Sequence, residues 1–358
     1  MTKLSVLVTG LGGPLGMSVF KALLLSSLPT RVIGTDTNPR SYGLFLADKA
    51  YVLPHAEREP EAYLRSMLDL IKREGLHALF PCSEGELLLL ARNLDRFQGS
   101  GCYVAVGPSS VLERVMDKYL LALDLCAAGF PTPASTVPGA KDFEWFVERH
   151  GFPLILKARF DSGSRHLYRI QNREELDFFS RYVKKPVIQE LLLPDDEEYT
   201  VGVFVAPENR GEGTIILKRQ LAAGLTYKAE IIRNEVIGKT CLEIVKHLGL
   251  IGANNVQLRL TADGPKVFEI NPRFSSTTVI RAFFGFNEPE LTLRAMVLGE
   301  KVTLDHCQAG IALRMWDELY VDPGVVSRLE SDGEGIDLDF MNGISPESIR
   351  HRRARHED

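Results

Sequence analysis

The sequence has few cysteines and no CxxC spacing, which bears on its redox environment and on zinc binding. Its five cysteines are dispersed over 358 residues, so a disulfide scaffold is excluded and a structural zinc cluster is disfavoured. A long hydrophobic run is also missing, because the longest apolar stretches, such as residues 85–91, are too short to span a bilayer. The first ten residues lead into a glycine turn and not into a signal peptide. We therefore expect a cytoplasmic protein without a membrane segment.

An excess of basic residues is absent as well. The chain has 42 Lys and Arg against 47 Asp and Glu, giving a net charge of −5, so it lacks the positive field with which proteins attract nucleic acid. The one dense basic run, at residues 351–356, is predicted to be a solvated tail. Hydrophobic residues make up 45% and charged residues 25% of the chain. These values are typical of a soluble globular protein, and the length predicts about two to three domains.

Residues 1–107 alternate short apolar runs with amphipathic segments. The predicted strands are 4–9, 31–35, 49–53, 78–81 and 103–106, and the predicted helices are 16–25, 61–74 and 84–94. Short runs that are apolar throughout are typical of parallel strands buried on both faces. The alternation therefore predicts a doubly wound parallel sheet that ends near Gly107.

The remainder of the chain is predicted to be α+β, with antiparallel strand pairs. The predicted strands are 154–157, 167–170, 187–193, 198–205, 255–260 and 266–270, and the predicted helices are 111–128, 142–150 and 173–182. The last two strands flank Asp263 and Gly264, a turn sequence typical of a β-hairpin.

Residues 9–16 spell TGxxGxxG between the first strand and the first helix, a pattern that can bring a backbone close to a pyrophosphate. Asp36 closes the second strand, where an acid could bind a ribose. Two details favour a packing role for these glycines. Pro14 removes a backbone N–H from the loop, and no tyrosine is followed four residues later by the lysine that a reductase of this kind uses. Nicotinamide binding remains an alternative, and so does a small-substrate contact from the loop.

Residues 117–164 contain two lysines and a polar loop that suit a nucleotide. Lys118 opens a helix after Asp117, and Lys157 ends a strand that is followed by the loop 161–164, Asp-Ser-Gly-Ser. Lysines neutralise phosphates as compact point charges, and a short Gly/Ser loop can close over phosphates with its N–H groups. An apolar strand with free backbone groups, such as the one ending at residues 189–193, can hydrogen-bond to the edge of an adenine base.

The predicted hairpin carries a candidate metal site. Glu269 and Asn271 are two residues apart on one strand and share a face. If the hairpin pairs symmetrically about Asp263, Gln257 faces Glu269, whereas a shift of one residue would place it on the other face. Three converging oxygen ligands suit Mg²⁺ bridged to phosphates, and Arg273 would then point its guanidinium at a phosphoryl group.

The order of these elements and their residues resemble those of the ATP-grasp superfamily, in particular the carbamoyl-phosphate synthetase large-subunit type and its stand-alone carboxylate–amine ligase relatives. In that branch a strand reading NVQ precedes one reading E-x-NPR, as in residues 255–257 and 269–273, and a serine cluster like 274–276 follows. The resemblance covers roughly residues 1–300. It implies a Rossmann-like pre-grasp domain at 1–112, an ATP-grasp domain at 113–303 with a lid at about 130–193, and a C-terminal segment at 304–358 that completes the grasp domain and carries the basic tail.

The resemblance also implies roles for individual residues. Lys118 and Lys157 would contact ATP phosphates, and Arg273 would stabilise the phosphoryl-transfer state. The lid would comprise Ser162, Gly163 and Ser164; the adenine hinge would run from Glu190 through Leu191 to Leu193, with Glu198 on the ribose; and Gln257, Glu269 and Asn271 would hold Mg²⁺, with Mn²⁺ as an alternative. The lid is poorer in glycine than is usual for the family, which puts its closing behaviour in doubt.

The function implied by the resemblance is ligation. ATP would activate a small-molecule carboxylate as an acyl phosphate, and an amine would displace the phosphate to form an amide. Three alternatives remain: a nicotinamide-dependent reductase or epimerase built on the glycine loop, a carbamoyl-phosphate-forming enzyme, and a nucleotide-binding subunit without turnover. Partners are expected to be small molecules, with no nucleic acid and no membrane, and the family often forms homodimers.

The sequence gives weaker indications of which residues bind the carboxylate and amine substrates, here called the acceptor side. Ser83 and Glu84 follow the fourth strand at the edge where an open sheet binds ligands, although Ser83 would also cap a helix. Other candidates for this side are Arg219, Tyr227, Lys228, Arg281, Arg314, Trp316 and Glu318.

Overall fold

A five-stranded parallel sheet forms the N-terminal part of the protein, in a computed structural model that describes residues 3–160, 166–304, 307–315 and 318–333. Its strands are β1 (Leu4–Val8), β2 (Thr30–Asp36), β3 (Lys49–Val52), β4 (Ala78–Phe80) and β5 (Tyr103–Val104), and its helices are α1 (Pro14–Leu24), α2 (Pro60–Glu74) and α3 (Glu84–Arg92). The strand order is β3-β2-β1-β4-β5 with every pair parallel. Separate apolar clusters cover the two faces, so the predicted doubly wound sheet is confirmed.

The predicted helix 111–128 is wrong as a single element, because Asp117 divides it. The two observed helices are α4 (Ser109–Met116) and α5 (Lys118–Ala127), and Asp117 between them has an extended backbone. The Asp117 carboxylate accepts hydrogen bonds from the backbone N–H groups of Tyr119 (3.0 Å) and Leu120 (3.3 Å). It also accepts from Nε of Arg159 at 2.8 Å. This N-cap makes Lys118 the first residue of α5 and fixes its position.

Replacing Asp117 with alanine is expected to lower the free energy of unfolding by about 2 kcal/mol, because α5 loses its cap and Arg159 loses a buried partner. A heat-denaturation scan should show a melting temperature several degrees lower. Glu113→Ala is the control, since Glu113 pairs with Arg92 on the exposed surface and such pairs contribute under about 1 kcal/mol. Equal melting temperatures for the two variants would contradict a stabilising role for the cap.

A four-stranded antiparallel sheet follows. It comprises β6 (Ser135–Thr136), β7 (Leu154–Ala158), β8 (Leu167–Ile170) and β9 (Pro186–Glu190) in the order β6-β9-β7-β8, with helices α6 (Phe143–His150) and α7 (Arg173–Tyr182). Both helices contribute to one apolar cluster with the strands. β9 ends at Glu190, three residues before the predicted end. The predicted lid residues Ser162, Gly163 and Ser164 lie outside the described residues.

A six-stranded antiparallel sheet completes the fold, in the order β14-β13-β10-β11-β12-β15. Its strands are β10 (Glu198–Val205), β11 (Glu212–Ala222), β12 (Leu225–Ile232), β13 (Gly252–Thr261), β14 (Gly264–Asn271) and β15 (Gly310–Leu313), and the helices of this part are α8 (Glu235–His247), α9 (Thr278–Phe283), α10 (Glu288–Thr292) and α11 (Pro323–Asp332), with a π-helical turn at Leu293–Val297. Helix α8 packs on one face of the sheet, and α9 and α10 pack on the other. Leu293, Val325 and Leu329 join the apolar cluster of the N-terminal sheet, so the two parts share a core.

No helix in the described ranges combines the length and the apolarity that a membrane span requires.

Candidate active site

The β13–β14 hairpin pairs Gln257 with Glu269, and a β-bulge produces this register. The turn residues are 262 and 263, so that Thr261 pairs with Gly264 and Leu258 with Val267. Continued without interruption, this register would place Phe268 opposite Gln257. The ladder instead shifts by one residue between Gln257 and Leu258, and Glu269 takes that position. Because directly paired side chains share a face, the bulge brings the Gln257 amide and the Glu269 carboxylate together.

Each of the three candidate metal ligands hydrogen-bonds to another of the three or to a neighbouring arginine. The Asn271 amide donates to Oε1 of Glu269 at 3.0 Å, and its oxygen accepts from Arg273 at 3.2 Å. The Gln257 oxygen accepts from Nη2 of Arg219 at 2.7 Å. Among the described residues no three His, Cys, Asp or Glu side chains form a metal cluster. The candidate ligand set consists instead of one carboxylate and two amides. These are hard oxygen donors on one strand pair, and they fit a magnesium ion that is also bound by phosphates.

Lys157 and Lys118 share an electrostatic environment with Glu269. Lys157 lies on β7 with 6% of its surface exposed, and its ammonium group donates to the carbonyl oxygen of Phe268 at 3.3 Å. Burial lowers the pKa of Lys157 to about 8; Glu269 opposes this effect and Lys118 adds to it. Burial alone would raise the pKa of Glu269, but the positive charges of Lys118, Lys157 and Arg219 and the hydrogen bond from Asn271 together hold that pKa below its usual value. The two lysines therefore stabilise the charged form of Glu269, and Glu269 stabilises that of Lys157.

A cavity of about 350 Å³ lies between the two antiparallel sheets. The predicted nucleotide and metal residues in its lining are Lys118, Lys157, Glu190, Leu191, Glu198, Gln257 and Glu269. Leu193 is absent from this lining and is 53% exposed, whereas Leu192 contributes to it. The Glu190 carboxylate accepts from the Ala134 N–H at 2.9 Å and from Lys266 at 2.9 Å, which holds the end of β9 against its neighbours.

Glu198, the predicted ribose ligand, lies between two arginines. Its Oε1 accepts from Arg219 at 2.7 Å and its Oε2 accepts from Arg259 at 2.7 Å. The same Nη2 atom of Arg219 that contacts Glu198 also contacts Gln257. Arg219 thus connects the predicted ribose and metal positions. From the sequence, Arg219 was predicted only as a substrate contact and Arg259 was not predicted, because both arginines reach Glu198 across sheet pairings that no local pattern reveals.

A second and larger cavity, of about 970 Å³, lies between the N-terminal sheet and the β13–β14 hairpin. Its lining includes Gln257, Glu269, Asn271 and Arg273 from the hairpin side and Asp36, Ser83, Glu84 and Glu86 from the carboxyl edge of the parallel sheet. Arg273 donates from Nη2 to Oε1 of Glu84 at 2.9 Å. The edge that the sequence analysis selected therefore faces the candidate metal site.

Other residues named for the acceptor side have different positions. Arg281 is fully buried and pairs with Glu288 at 2.8 Å, so it does not reach a cavity and that prediction is wrong. Arg314 donates to the carbonyl oxygen of Ser276, a residue of the larger cavity's lining. Trp316 lies outside the described residues.

The glycines of the TGxxGxxG loop have packing roles. A Cβ atom on Gly16 would lie 2.4 Å from the carbonyl oxygen of Gly10, so only glycine allows α1 to approach the end of β1 this closely. The Gly12 N–H donates to Oδ2 of Asp36 at 2.7 Å. Asp36 is thereby bound to the loop. Gly10 and Pro14 line the larger cavity, consistent with the alternative that this loop contacts a small substrate.

Comparison with known proteins finds similar sequences for both parts of the chain. Residues 184–318 match the family described as ATP-grasp in the biosynthetic pathway with Ter operon, and residues 14–105 match the PylC-like N-terminal domain. The chain is 22% identical over 288 residues to pyruvate carboxylase of Bacillus subtilis, covering 73% of the chain. It is 23% identical over 290 residues to the carbamoyl phosphate synthase large chain of Pyrococcus furiosus, covering 74% of the chain. The chain spans only 25% and 26% of the lengths of these two relatives.

Solved structures show the same fold. N5-carboxyaminoimidazole synthetase from Staphylococcus aureus superposes with a TM-score of 0.68 at 16% identity, over 88% of this chain and 83% of that one. The L-amino acid ligase from Bacillus licheniformis superposes with a TM-score of 0.62 at 16% identity, over 83% and 74% of the two chains. The fold is therefore ATP-grasp with a Rossmann-like N-terminal sheet, in agreement with the match of residues 184–318 to an ATP-grasp family.

Proposed function

We propose that the protein is an ATP- and Mg²⁺-dependent ligase that activates a carboxylate as an acyl phosphate and joins it to an amine. One observation carries this proposal: the two cavities meet at the candidate metal site. Arg219, Gln257 and Glu269 line both of them. A nucleotide in the smaller cavity would direct its phosphates toward substrates held in the larger one.

The proposed reaction has two steps with balanced charges and atoms. A carboxylate oxygen attacks the γ-phosphorus, the bond from that phosphorus to the oxygen of ADP breaks, and an acyl phosphate forms. The amine nitrogen then attacks the acyl carbon, phosphate leaves, and the nitrogen loses a proton. Lys118 and Lys157 would neutralise phosphate charge and Arg273 would bind the transferring phosphoryl group. Gln257, Glu269 and Asn271 would hold a magnesium ion that neutralises phosphate oxygens; we propose Mn²⁺, which prefers the same donors, as a substitute.

The choice of an amide-forming ligase is supported by the size of the larger cavity. A volume of about 970 Å³ is at the upper end of the range for small-molecule sites and has room for two organic substrates. The L-amino acid ligase of the same fold has an activity of this class by name.

Heat denaturation with nucleotides tests the proposal without knowledge of the substrates. A ligand that binds only the folded protein stabilises it by RT ln(1 + L/Kd), where L is the free ligand concentration, or about 2.7 kcal/mol at 100 times Kd. ATP with Mg²⁺ should therefore raise the melting temperature by several degrees, and more than ATP with EDTA. A shift with NAD or NADP in place of ATP would contradict the ligase and favour the glycine-loop reductase.

A further inference from the structure

The N-terminal wall of the larger cavity has an excess of negative charge. Asp36, Glu57, Glu84 and Glu86 all line it. Glu84 pairs with Arg273, but within the ranges that the structure covers Asp36, Glu57 and Glu86 have no ion-pair partner. Acidic residues in the first turn of a helix are common, because they complement the helix dipole. That explanation suffices for Glu84 but not for Glu86, which is buried.

Glu86 is 8% exposed, and no cationic side chain in the described part of the chain pairs with it. Its carboxylate accepts a hydrogen bond from the Thr9 hydroxyl, which in turn accepts from the Cys82 N–H at 2.8 Å. Burial, with a smaller contribution from the charge of Asp36, raises the pKa of Glu86 to about 7, and hydrogen bonds from Thr9, Cys82 and Ser83 oppose this shift. A buried carboxylate costs free energy unless it has partners. The cost is incurred at the wall of a cavity, where a bound cation could offset it.

Tyr63 provides an independent observation at the same place. It lies on α2 with 1% of its surface exposed, and it lines the same cavity. Its hydroxyl oxygen has no hydrogen-bond partner among the described residues. Burial raises the pKa of Tyr63, and the nearby charge of Glu86 adds to the effect. Unpaired buried hydroxyls are rare in native proteins and often mark a position that a ligand or a water completes.

We propose that the larger cavity binds a substrate through an ammonium group held by the Glu86 carboxylate and the Tyr63 hydroxyl oxygen. The substrate is then bifunctional. One end reacts beside Arg273 and the Gln257–Glu269 pair, and the other end carries the cation, so that the substrate class is a diamine or a basic amino acid. This inference rests on the proposed ligase function. Either the carboxylate substrate or the amine substrate can carry the ammonium group.

Matched pairs of small probes test this inference. L-lysine and L-norleucine differ by the side-chain ammonium group, and 1,4-butanediol has the length of putrescine without any ammonium group. We expect isothermal titration calorimetry in the presence of ADP and Mg²⁺ to show binding of L-lysine or putrescine at least about tenfold tighter than its matched partner, as the loss of a charged hydrogen-bond partner predicts. In Glu86→Gln this preference should disappear.

Two further variants separate binding from folding. Tyr63→Phe removes a hydroxyl that has no hydrogen-bond partner within the described ranges, so a merely structural role predicts an equal or higher melting temperature and unchanged affinity. The proposal predicts an affinity for the ammonium-bearing probe about three- to tenfold lower. Glu61→Gln, on the same helix but in an exposed pair with Arg96, is the charge control and should bind like the parent.

The outcomes distinguish this inference from the proposed function. If Mg²⁺–ATP stabilises the protein but neither L-lysine nor putrescine binds, or if Glu86→Gln binds them as the parent does, the ammonium site is wrong and the ligase proposal stands. If Mg²⁺–ATP gives no shift, the ligase proposal itself fails. Hydroxylamine can replace the amine substrate: hydroxamate from L-lysine but not from L-norleucine supports an ammonium group on the carboxylate substrate. Putrescine binding without hydroxamate supports one on the amine.

Discussion

Replacing Glu269 with glutamine is expected to reduce Mg²⁺-dependent ATP turnover by more than about 100-fold, a loss at or beyond that seen when the outer partners of a metal ligand are removed. Glu269 supplies the one negative charge of the candidate ligand set, since Gln257 and Asn271 offer neutral amides. The substitution keeps the size of the side chain and its hydrogen-bond acceptor for Asn271. The expected loss is therefore one of charge and not of shape. ADP formation in the presence of an amine and carboxylate panel, at several Mg²⁺ concentrations, measures it.

Two further variants serve as comparisons for Glu269→Gln. Asn271→Ala should cause a comparable loss, because it removes another oxygen ligand from the same face. Glu230→Gln should leave the rate within about twofold, since Glu230 is an exposed carboxylate of the same sheet at the far side from the hairpin. Turnover near the parent rate in both Glu269→Gln and Asn271→Ala, with an unchanged Mg²⁺ requirement, would show that these residues do not hold the metal.

The parallel sheet was predictable from the sequence because its strands are buried on both faces. Such strands are largely apolar, and β1, β3 and β4 are each followed by a segment with helical periodicity. The β10 strand was predicted with its observed bounds for the same reason, because all of residues 199–204 are buried. In contrast, β11 and β12 each carry several exposed residues. Their pattern is weak, and the sequence analysis did not assign them.

The candidate site was predictable in its residue types but not in its geometry. The pairing of Gln257 with Glu269 depends on a bulge at Phe268. No glycine or proline at that position indicates a bulge in the sequence. The division between α4 and α5 depends on Asp117 meeting Arg159, 42 residues later. The pair of arginines on Glu198 and the acidic wall of the larger cavity likewise arise from tertiary contacts. A single sequence shows which side chains could do chemistry, whereas their partners become visible only in the fold.

Lys157 is the second position where a large effect is expected. Lys157→Met should weaken ADP binding by about 10- to 100-fold, because a charge-assisted contact with phosphate contributes about 1.5–3 kcal/mol. Methionine keeps most of the length of the side chain and fills the apolar space beside Phe268. Lys184→Met is the matched control, since Lys184 is an exposed lysine outside the cavity lining. Equal ADP affinity in Lys157→Met and the parent would contradict the phosphate role.

The pH dependence of ADP binding tests whether the charge of Lys157 matters, and its sign follows from the lowered pKa. An exposed lysine stays protonated through pH 9, but burial lowers the pKa of Lys157 to about 8. In the free protein Lys157 therefore loses its positive charge as the pH rises from about 7 to about 9. With EDTA present to exclude metal, the affinity of the parent for ADP should fall over this interval, and that of Lys157→Met should stay nearly constant. Parallel pH profiles for the two proteins would show that the cation on the phosphates is not Lys157, and would leave Lys118 to carry that role.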